Sequence, residues 1–418
     1  MRILIVNHYS GSPEFGMEYR HFHLAREWQA LGHDVRIIAS RFSHLRMLKQ
    51  PDGPPGRWID HGGIPHRWLA GCPYAGNGIQ RLFNMLGFAA ELWTHAPRFA
   101  RRHKPDLVLA SSPHPFVAYG AARLARAANA KLVFEIRDLW PMSLTELGAM
   151  SPAHPFVGML DRAEAYGCTH ADKVISLLPC VHDYMAGRAV DREKWSWLPN
   201  GFDPVEYAGA PEPLDAPLEE LLRSLKAGGK FIVGYAGSHA AANSLDALLD
   251  AAALLPASAF AFVLVGSGHD KARLERRVQE EHLRNVHLCP PIPKDRVRGF
   301  LAGVDAAYLG APKSPLYRFG VAPNKLTDYM MAGVPVVYAI DAGNDPVSEA
   351  GCGVSAPPGN AAALAAAIER LARMPEQDRH ALGARGRGYA ERHHAYPRLA
   401  RRFLESIHTR GGAQHGAA

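Results

Sequence analysis

Short apolar runs, each closed by a polar or glycine-bearing loop and followed by a stretch with helical spacing, recur from one end of this chain to the other. They stand at residues 3–6, 35–39, 106–110, 131–136 and 171–176, and again at 231–236, 260–265, 286–288, 306–309 and 334–339. Strands that alternate with helices in this way imply crossover connections and hence parallel sheets. The pattern is interrupted at 208–229 by a stretch rich in Pro, Ala, Glu and Gly, which reads as a linker holding a short helix. At 418 residues the chain is long enough for two cores. The expected fold is therefore α/β, two doubly wound parallel-sheet domains facing each other across a cleft. Their expected bounds are 1–205 and 206–391, with a C-terminal helix at about 392–410 packing back on the first.

The stretch 319–337 is the most informative of these units. Pro323 suits the start of a helix, and Leu326, Tyr329 and Met330 recur at helical spacing. Gly333 and Pro335 then close it before a strand. A helix N-terminus with Lys325 in its first turn and Asp328 one turn on can hold an anion beside a hydroxyl-rich ring. A nucleotide diphosphate-sugar has both features. An ordinary αβ unit of a parallel sheet would give the same pattern.

Glycine loops follow several of the other runs. Gly237-Ser238-His239 turns tightly after 231–236, where small residues let a phosphate approach the backbone. Gly266-Ser267-Gly268 closes the next run, and Pro290-Pro291-Ile292-Pro293 the one after it. In the first half, the loop from Gly11 to Gly16, with Glu14, follows the first run. No G-x-G-x-x-G stands there, so a nicotinamide dinucleotide fold is not expected. Ser111-Ser112-Pro113-His114-Pro115 and the charged pair Arg137-Asp138 close two further runs and should face the same crevice.

Charge is localised. Between Arg41 and Lys104 ten lysines and arginines meet three acids, a surplus equal to the +7 of the whole chain. Such a segment implies an anionic partner: phospholipid, a lipid-linked diphosphate or nucleic acid. Its aromatics, among them Phe42, Trp58 and Trp68, follow no RNA- or DNA-binding motif, so no nucleic-acid partner is expected. The helical stretch 81–103 carries Leu82, Met85, Leu86, Ala89, Leu92 and Trp93 on one face and ends in Arg98, Arg101, Arg102 and Lys104. It suits either a core face or an interfacial membrane helix. Residues 51–63, rich in Pro and Gly, read as an excursion between elements. The tail from Arg385 reads as basic and helical, fading into Gly and Ala.

The five cysteines are scattered and never form C-x-x-C, which argues against a disulfide framework or zinc site and suits a reducing cytoplasm. The apolar start is too short for a signal peptide, and no stretch approaches the length of a membrane span. The expected location is the cytoplasm, with peripheral contact at the inner membrane through 41–104.

With these pieces placed, the chain resembles the retaining family 4 glycosyltransferases of GT-B fold, in which two Rossmann-like domains face each other. The resemblance rests on the first strand and glycine loop, Ser111 to Pro115, Glu135 to Pro141, Pro199-Asn200-Gly201-Phe202-Asp203, Tyr235 to Ser238, Leu264 to Gly268, and Pro323-Asn324-Lys325 through Pro335. The Arg137-Asp138-Leu139-Trp140-Pro141 and Pro323-Asn324-Lys325 forms resemble the branch that builds bacterial surface polysaccharides. The resemblance implies transfer of a sugar, with retention, from a UDP- or GDP-linked donor to an acceptor hydroxyl on a lipid-linked or other glycan of O-antigen, capsule or exopolysaccharide. It implies that the first domain binds acceptor and the second binds donor. Lys325, Arg137 and Asp138 are the catalytic candidates. Gly237, Ser238, His239, Asn243, Gly266, Ile292, Gly320, Val321, Asn324 and Asp328 would line the donor, and Glu14, Gly16 and His114 the acceptor side.

Two departures from the family pattern stand out. Of the usual Glu-x7-Glu, the second position holds Asp328 and the first holds Gly320. The places of an arginine and a lysine after the first strand of the second domain hold Ser238 or His239 and Asn243. Lys325 is left as the cation for the diphosphate, with Arg318 or Lys313 behind it. No D-x-D occurs, so neither a metal nor a further cofactor is expected. A nucleotide-sugar 2-epimerase would form product without acceptor, and a non-catalytic sugar-nucleotide binder would bind without transfer; these are the competing expectations.

Overall fold

The computed structural model describes residues 1–16, 19–46, 48–52, 56–74, 76, 78–146, 148 and 150–408. The expected fading of the tail at 409–418 and part of the 51–63 excursion lie outside them. The chain divides into two compact units, one of residues 1–200 with 396–418 and one of 201–395.

Unit 1 is built on eight strands: β1 (Arg2–Asn7), β2 (Asp34–Ser40), β3 (Trp58–His61), β4 (Ile64–Leu69), β5 (Leu107–Ser112), β6 (Lys131–Ile136), β7 (Lys173–Ser176) and β8 (Trp195–Trp197). They lie in the order β3-β4-β2-β1-β5-β6-β7-β8, and all neighbours are parallel except β3 with β4. Strand residues alternate between two buried faces. Ile3, Ile5, Leu107 and Leu109 point to a core shared with Trp28 of the helix Arg20–Ala30 and Leu399 and Phe403 of the helix Tyr396–His408. The Trp28 indole N–H donates to the Ala400 carbonyl at 3.0 Å, which pins the C-terminal helix to this unit.

Sequence periodicity missed the β3–β4 hairpin, and 51–63 is more than an excursion. His61 pairs with Ile64 across Gly62 and Gly63, whose φ angles are +63° and +84°. Positive φ at both central residues is the two-residue hairpin turn that Gly-Gly favours, a signal present in the sequence but hidden by its proline-rich flank. Of the helical face predicted over 81–103, Met85 and Leu92 are buried in the helix Ile79–His103, and Leu82, Leu86 and Ala89 pack half-buried against a core cluster. Trp93 is the exception, at 44% exposed. It falls at the edge of the stripe, where the indole lies beneath the Arg123 guanidinium at 4.7 Å.

Unit 2 has six strands: β9 (Phe231–Ala236), β10 (Phe260–Val265), β11 (Val286–Cys289), β12 (Ala306–Gly310), β13 (Val336–Ala339) and β14 (Gly353–Ser355). Their order, β11-β10-β9-β12-β13-β14, is all parallel and reverses direction at β9 and β12. In such sheets the crevice beyond the carboxyl ends of the strands at the reversal is where ligands bind. Val233, Tyr235, Phe262 and Leu264 face one core with Leu248 and Ile368. Ile232, Ala261 and Val263 face another with Phe300, Tyr329 and Met330. Three-residue edge strands such as β8 and β14 carry too few positions for a periodic signal, and neither was anticipated.

No helix among the described residues is long and apolar enough to cross a membrane.

Candidate active site

In unit 2 the loop after β9 and the helix Asn324–Ala332 meet at the reversal point. Pro323 precedes the helix, and no side chain caps its N-terminus. From the first turn, the Lys325 ammonium donates to Asn243 Oδ1 at 2.8 Å and lies 5.5 Å from the Tyr235 ring centre. Asn243 in turn donates to the Ser238 carbonyl at 2.9 Å, and the Tyr235 hydroxyl donates to the same carbonyl at 2.7 Å. Burial lowers the pKa of Lys325 from the ordinary lysine value, and Asp328 works against that shift. The fixed partner of this half-dried cation is thus a neutral amide oxygen, which leaves its charge available to an anion.

Gly237 makes the arrangement possible. Its φ is +151°, and a Cβ there would stand 2.2 Å from Lys325 Cε. At Gly266, with φ +155°, a Cβ would meet the Gly237 carbonyl oxygen at 1.8 Å. A lysine tip can swing aside and a backbone carbonyl cannot. Gly266→Ala is therefore expected to destabilise unit 2 by more than the about 1–3 kcal/mol of backbone strain expected for Gly237→Ala. Urea unfolding of both variants checks the order. Gly237→Ala should also displace Lys325 and weaken nucleotide binding.

Asp328, three residues after Lys325 and so on the same helix face, accepts from the Tyr207 hydroxyl at 2.6 Å and pairs with Lys294. Both contacts fall on Oδ1, which orients the carboxylate and leaves Oδ2 open among the described residues. Neither Tyr207 nor Lys294 was foreseen. Lys294 opens a helix just after the Pro290–Pro293 segment, a position that carries no charge pattern of its own.

The remaining predicted residues of this unit are spread over its loops. Ser238 and Asn324 are exposed, and Ile292 is half-buried. Gly320 ends the turn Pro315–Phe319, and the Val321 amide donates to Asn344 Oδ1 at 2.8 Å, so this N–H is already engaged. His239 is fully buried, with neither ring nitrogen hydrogen-bonded among the described residues, and burial together with Lys271 pushes its pKa down to about 4. Its backbone, not its ring, joins the loops: its N–H donates to the Ser267 carbonyl at 2.8 Å. Lys271 ties the neighbouring loops, donating to the Gly266 and Cys289 carbonyls at 3.0 and 2.9 Å. Arg318 lies over the Phe319 ring at 4.3 Å.

In unit 1 the corresponding reversal lies between β1 and β5. His8 follows β1 and His114 follows β5; both are fully buried and their rings meet, Nδ1 of His8 to Nε2 of His114 at 2.7 Å. Glu135 of β6 accepts from Arg20 at 2.8 and 3.0 Å, from the Ser111 hydroxyl at 2.7 Å and from His21 Nε2 at 2.8 Å. Arg137 is half-buried, with its N–H donating to Ser112 Oγ at 3.3 Å, and Asp138 beside it is exposed. Glu14 pairs with Lys49 at 2.6 Å and His61 at 2.8 Å, which hold its carboxyl below the usual range, and Gly16 closes the same turn.

The family described as glycosyl transferase 4-like domain matches residues 15–201, and that described as glycosyl transferases group 1 matches residues 230–374. A protein of Escherichia coli strain K12 named "Putative colanic acid biosynthesis glycosyl transferase WcaI" is 26% identical over 91% of this chain and 93% of its own. Among solved structures, HepE of Anabaena in complex with UDP-glucose superposes with a TM-score of 0.67 at 18% identity, over 97% of this chain and 99% of its own. Sucrose-phosphate synthase of Thermosynechococcus elongatus does so with 0.71 at 18% identity, over 97% of each chain. Two doubly wound sheets matched in tandem by two glycosyltransferase families place this chain among the GT-B glycosyltransferases of the family 4 type.

Proposed function

We propose that this glycosyltransferase moves a sugar, with retention, from a nucleotide diphosphate-sugar to an acceptor hydroxyl on a lipid-linked glycan of a cell-surface polysaccharide. The observation that carries the donor side is the Lys325 ammonium, held against the Gly237 turn by neutral Asn243 beside an uncapped helix N-terminus. As the sugar–phosphate bond breaks, negative charge gathers on the departing diphosphate, and preorganised N–H groups with one cation are what that charge needs. Asp328, aimed by Tyr207 and Lys294, offers Oδ2 to the ribose hydroxyls. Arg137, Asp138 and His114 belong to the sugar and acceptor side. The E. coli relative's named role in colanic acid biosynthesis and the UDP-glucose bound to HepE both support this reading.

The test is calorimetry of the full chain against a panel of UDP- and GDP-sugars, followed by transfer to extracted lipid-linked acceptors. Tight binding of one donor with acceptor-dependent product is expected. Product formed without acceptor, or binding without transfer, overturns the transferase reading.

A membrane-facing role for unit 1 rests on the helix Ile79–His103. Ile79 and Phe83 stand one turn apart and are 66% and 60% exposed, and Arg98, Arg101, Arg102 and Lys104 are exposed at its far end. Exposed apolar side chains at one end of a helix and a basic cluster at the other suit an anionic bilayer surface. Phe83→Asp is expected to lower sedimentation with phosphatidylglycerol vesicles by about threefold or more, and high salt should weaken what remains. Unchanged sedimentation would remove this surface from the proposal.

A further inference from the structure

The buried histidine pair of unit 1 belongs to a three-residue chain whose direction can be worked out from one end. Asn84, on the buried face of the helix Ile79–His103, donates from Nδ2 to the Cys72 carbonyl at 2.7 Å. A carbonyl only accepts, so the amide cannot be turned over, and its Oδ1 faces His8 Nε2 at 2.6 Å. His8 must then carry its proton on Nε2. Burial, with the charges of Arg46 and Arg81 around it, lowers the pKa of His8 well below the ordinary histidine value, so the ring is neutral and its Nδ1 is a lone pair. That lone pair meets His114 Nε2 at 2.7 Å, so His114 also donates from Nε2. Burial pushes His114 down to about 3, so this ring is neutral too. Its remaining nitrogen, Nδ1, is a buried acceptor with no partner among the described residues.

We infer that Asn84 and His8 are positioning residues that hold His114 in the Nε2–H tautomer, so that Nδ1 can only accept, and does so from a hydroxyl of the bound sugar. The inference rests on the transferase reading for the ligand's identity and on geometry alone for the tautomer. A buried acceptor left empty is costly, and a ligand O–H at the β1–β5 reversal removes that cost. Were the chain to run the other way, His114 Nδ1 would be a donor and would select a different group of the ligand. Asn84 therefore affects recognition from two residues away.

The tautomer can be read in the resting protein without any substrate. Full-length protein with ring-15N histidine, its His114 signals assigned by their loss in His114→Gln, is expected to show Nε2 protonated and Nδ1 bare near neutral pH. In Asn84→Leu the His114 signals should move to a mixture of tautomers, and kcat/KM with the sugar nucleotide chosen by the donor panel should fall about tenfold, the worth of one hydrogen bond. A wild-type His114 carrying its proton on Nδ1 overturns the inference, and that result needs no folded variant. So does a tautomer that is indifferent to Asn84→Leu. A correct tautomer in a protein that transfers no sugar would instead count against the functional reading.

Discussion

Lys325→Ala is expected to lower kcat for sugar transfer by about 10²–10³-fold, the loss seen when one preorganised stabiliser of developing negative charge is removed. The size follows from the state of the ammonium before ligand arrives. It has already lost much of its water, its fixed partner is a neutral amide, and burial has lowered its pKa. Attraction to an incoming diphosphate is stronger in such a place than at an open surface. Lys325→Arg should not restore the rate. The lysine stem passes so close to Gly237 that a single methyl there would overlap it, and a broad planar guanidinium would not follow the same path. Single-turnover kinetics with the donor chosen by the panel, beside thermal unfolding to confirm that the variants are folded, makes the measurement. Parent-like turnover of Lys325→Ala would show that another cation neutralises the diphosphate.

The second large effect concerns stability. Glu135 and Arg20 form an ion pair with side chains 0% and 3% exposed, and Arg20 also donates to the carbonyls of Leu198 and Pro199. Glu135→Gln leaves the guanidinium without its counter-charge, and removing one partner of a buried pair costs about 3–5 kcal/mol. Burial alone would raise the pKa of Glu135, but the Arg20 charge and the His21 hydrogen bond outweigh it and hold the carboxyl well below its ordinary value of 4.5. Burial also lowers the pKa of His21, which therefore binds as a neutral donor, not as a second cation. A depressed carboxylate pKa contributes stability that is present in full above the unfolded value and is lost as pH falls towards the folded one. The gap in unfolding free energy between parent and Glu135→Gln should thus be flat from pH 6 to 8 and narrow below about 4.5. Urea titrations across that range check it. A gap that widens in acid would mean Glu135 is protonated in the folded protein.

These two sites differ in how far the sequence exposes them. Lys325 and Asp328 are visible because a helix start and a three-residue spacing are local, and local geometry follows from the order of residues. The parallel strands are visible for the same reason: runs buried on both faces leave an unbroken apolar mark, as in 231–236 and 260–265. The Gly62-Gly63 hairpin was legible in principle but outweighed by its flank. Asn84 carried a fainter mark, a polar residue at helical spacing with Phe88 and Leu92.

By itself, then, the sequence determined the alternation of strand and helix, the loops that close each strand, and the family whose motif order they follow. Only the tertiary structure decided which side chains those loops bring together: Tyr207 and Lys294 on Asp328, Asn243 on Lys325, Arg20 on Glu135, Asn84 on His8. The partners are separated by 34 to 121 residues along the chain. A hydrogen bond is set by ångström distances in space, and only packing of the sheets and helices fixes those.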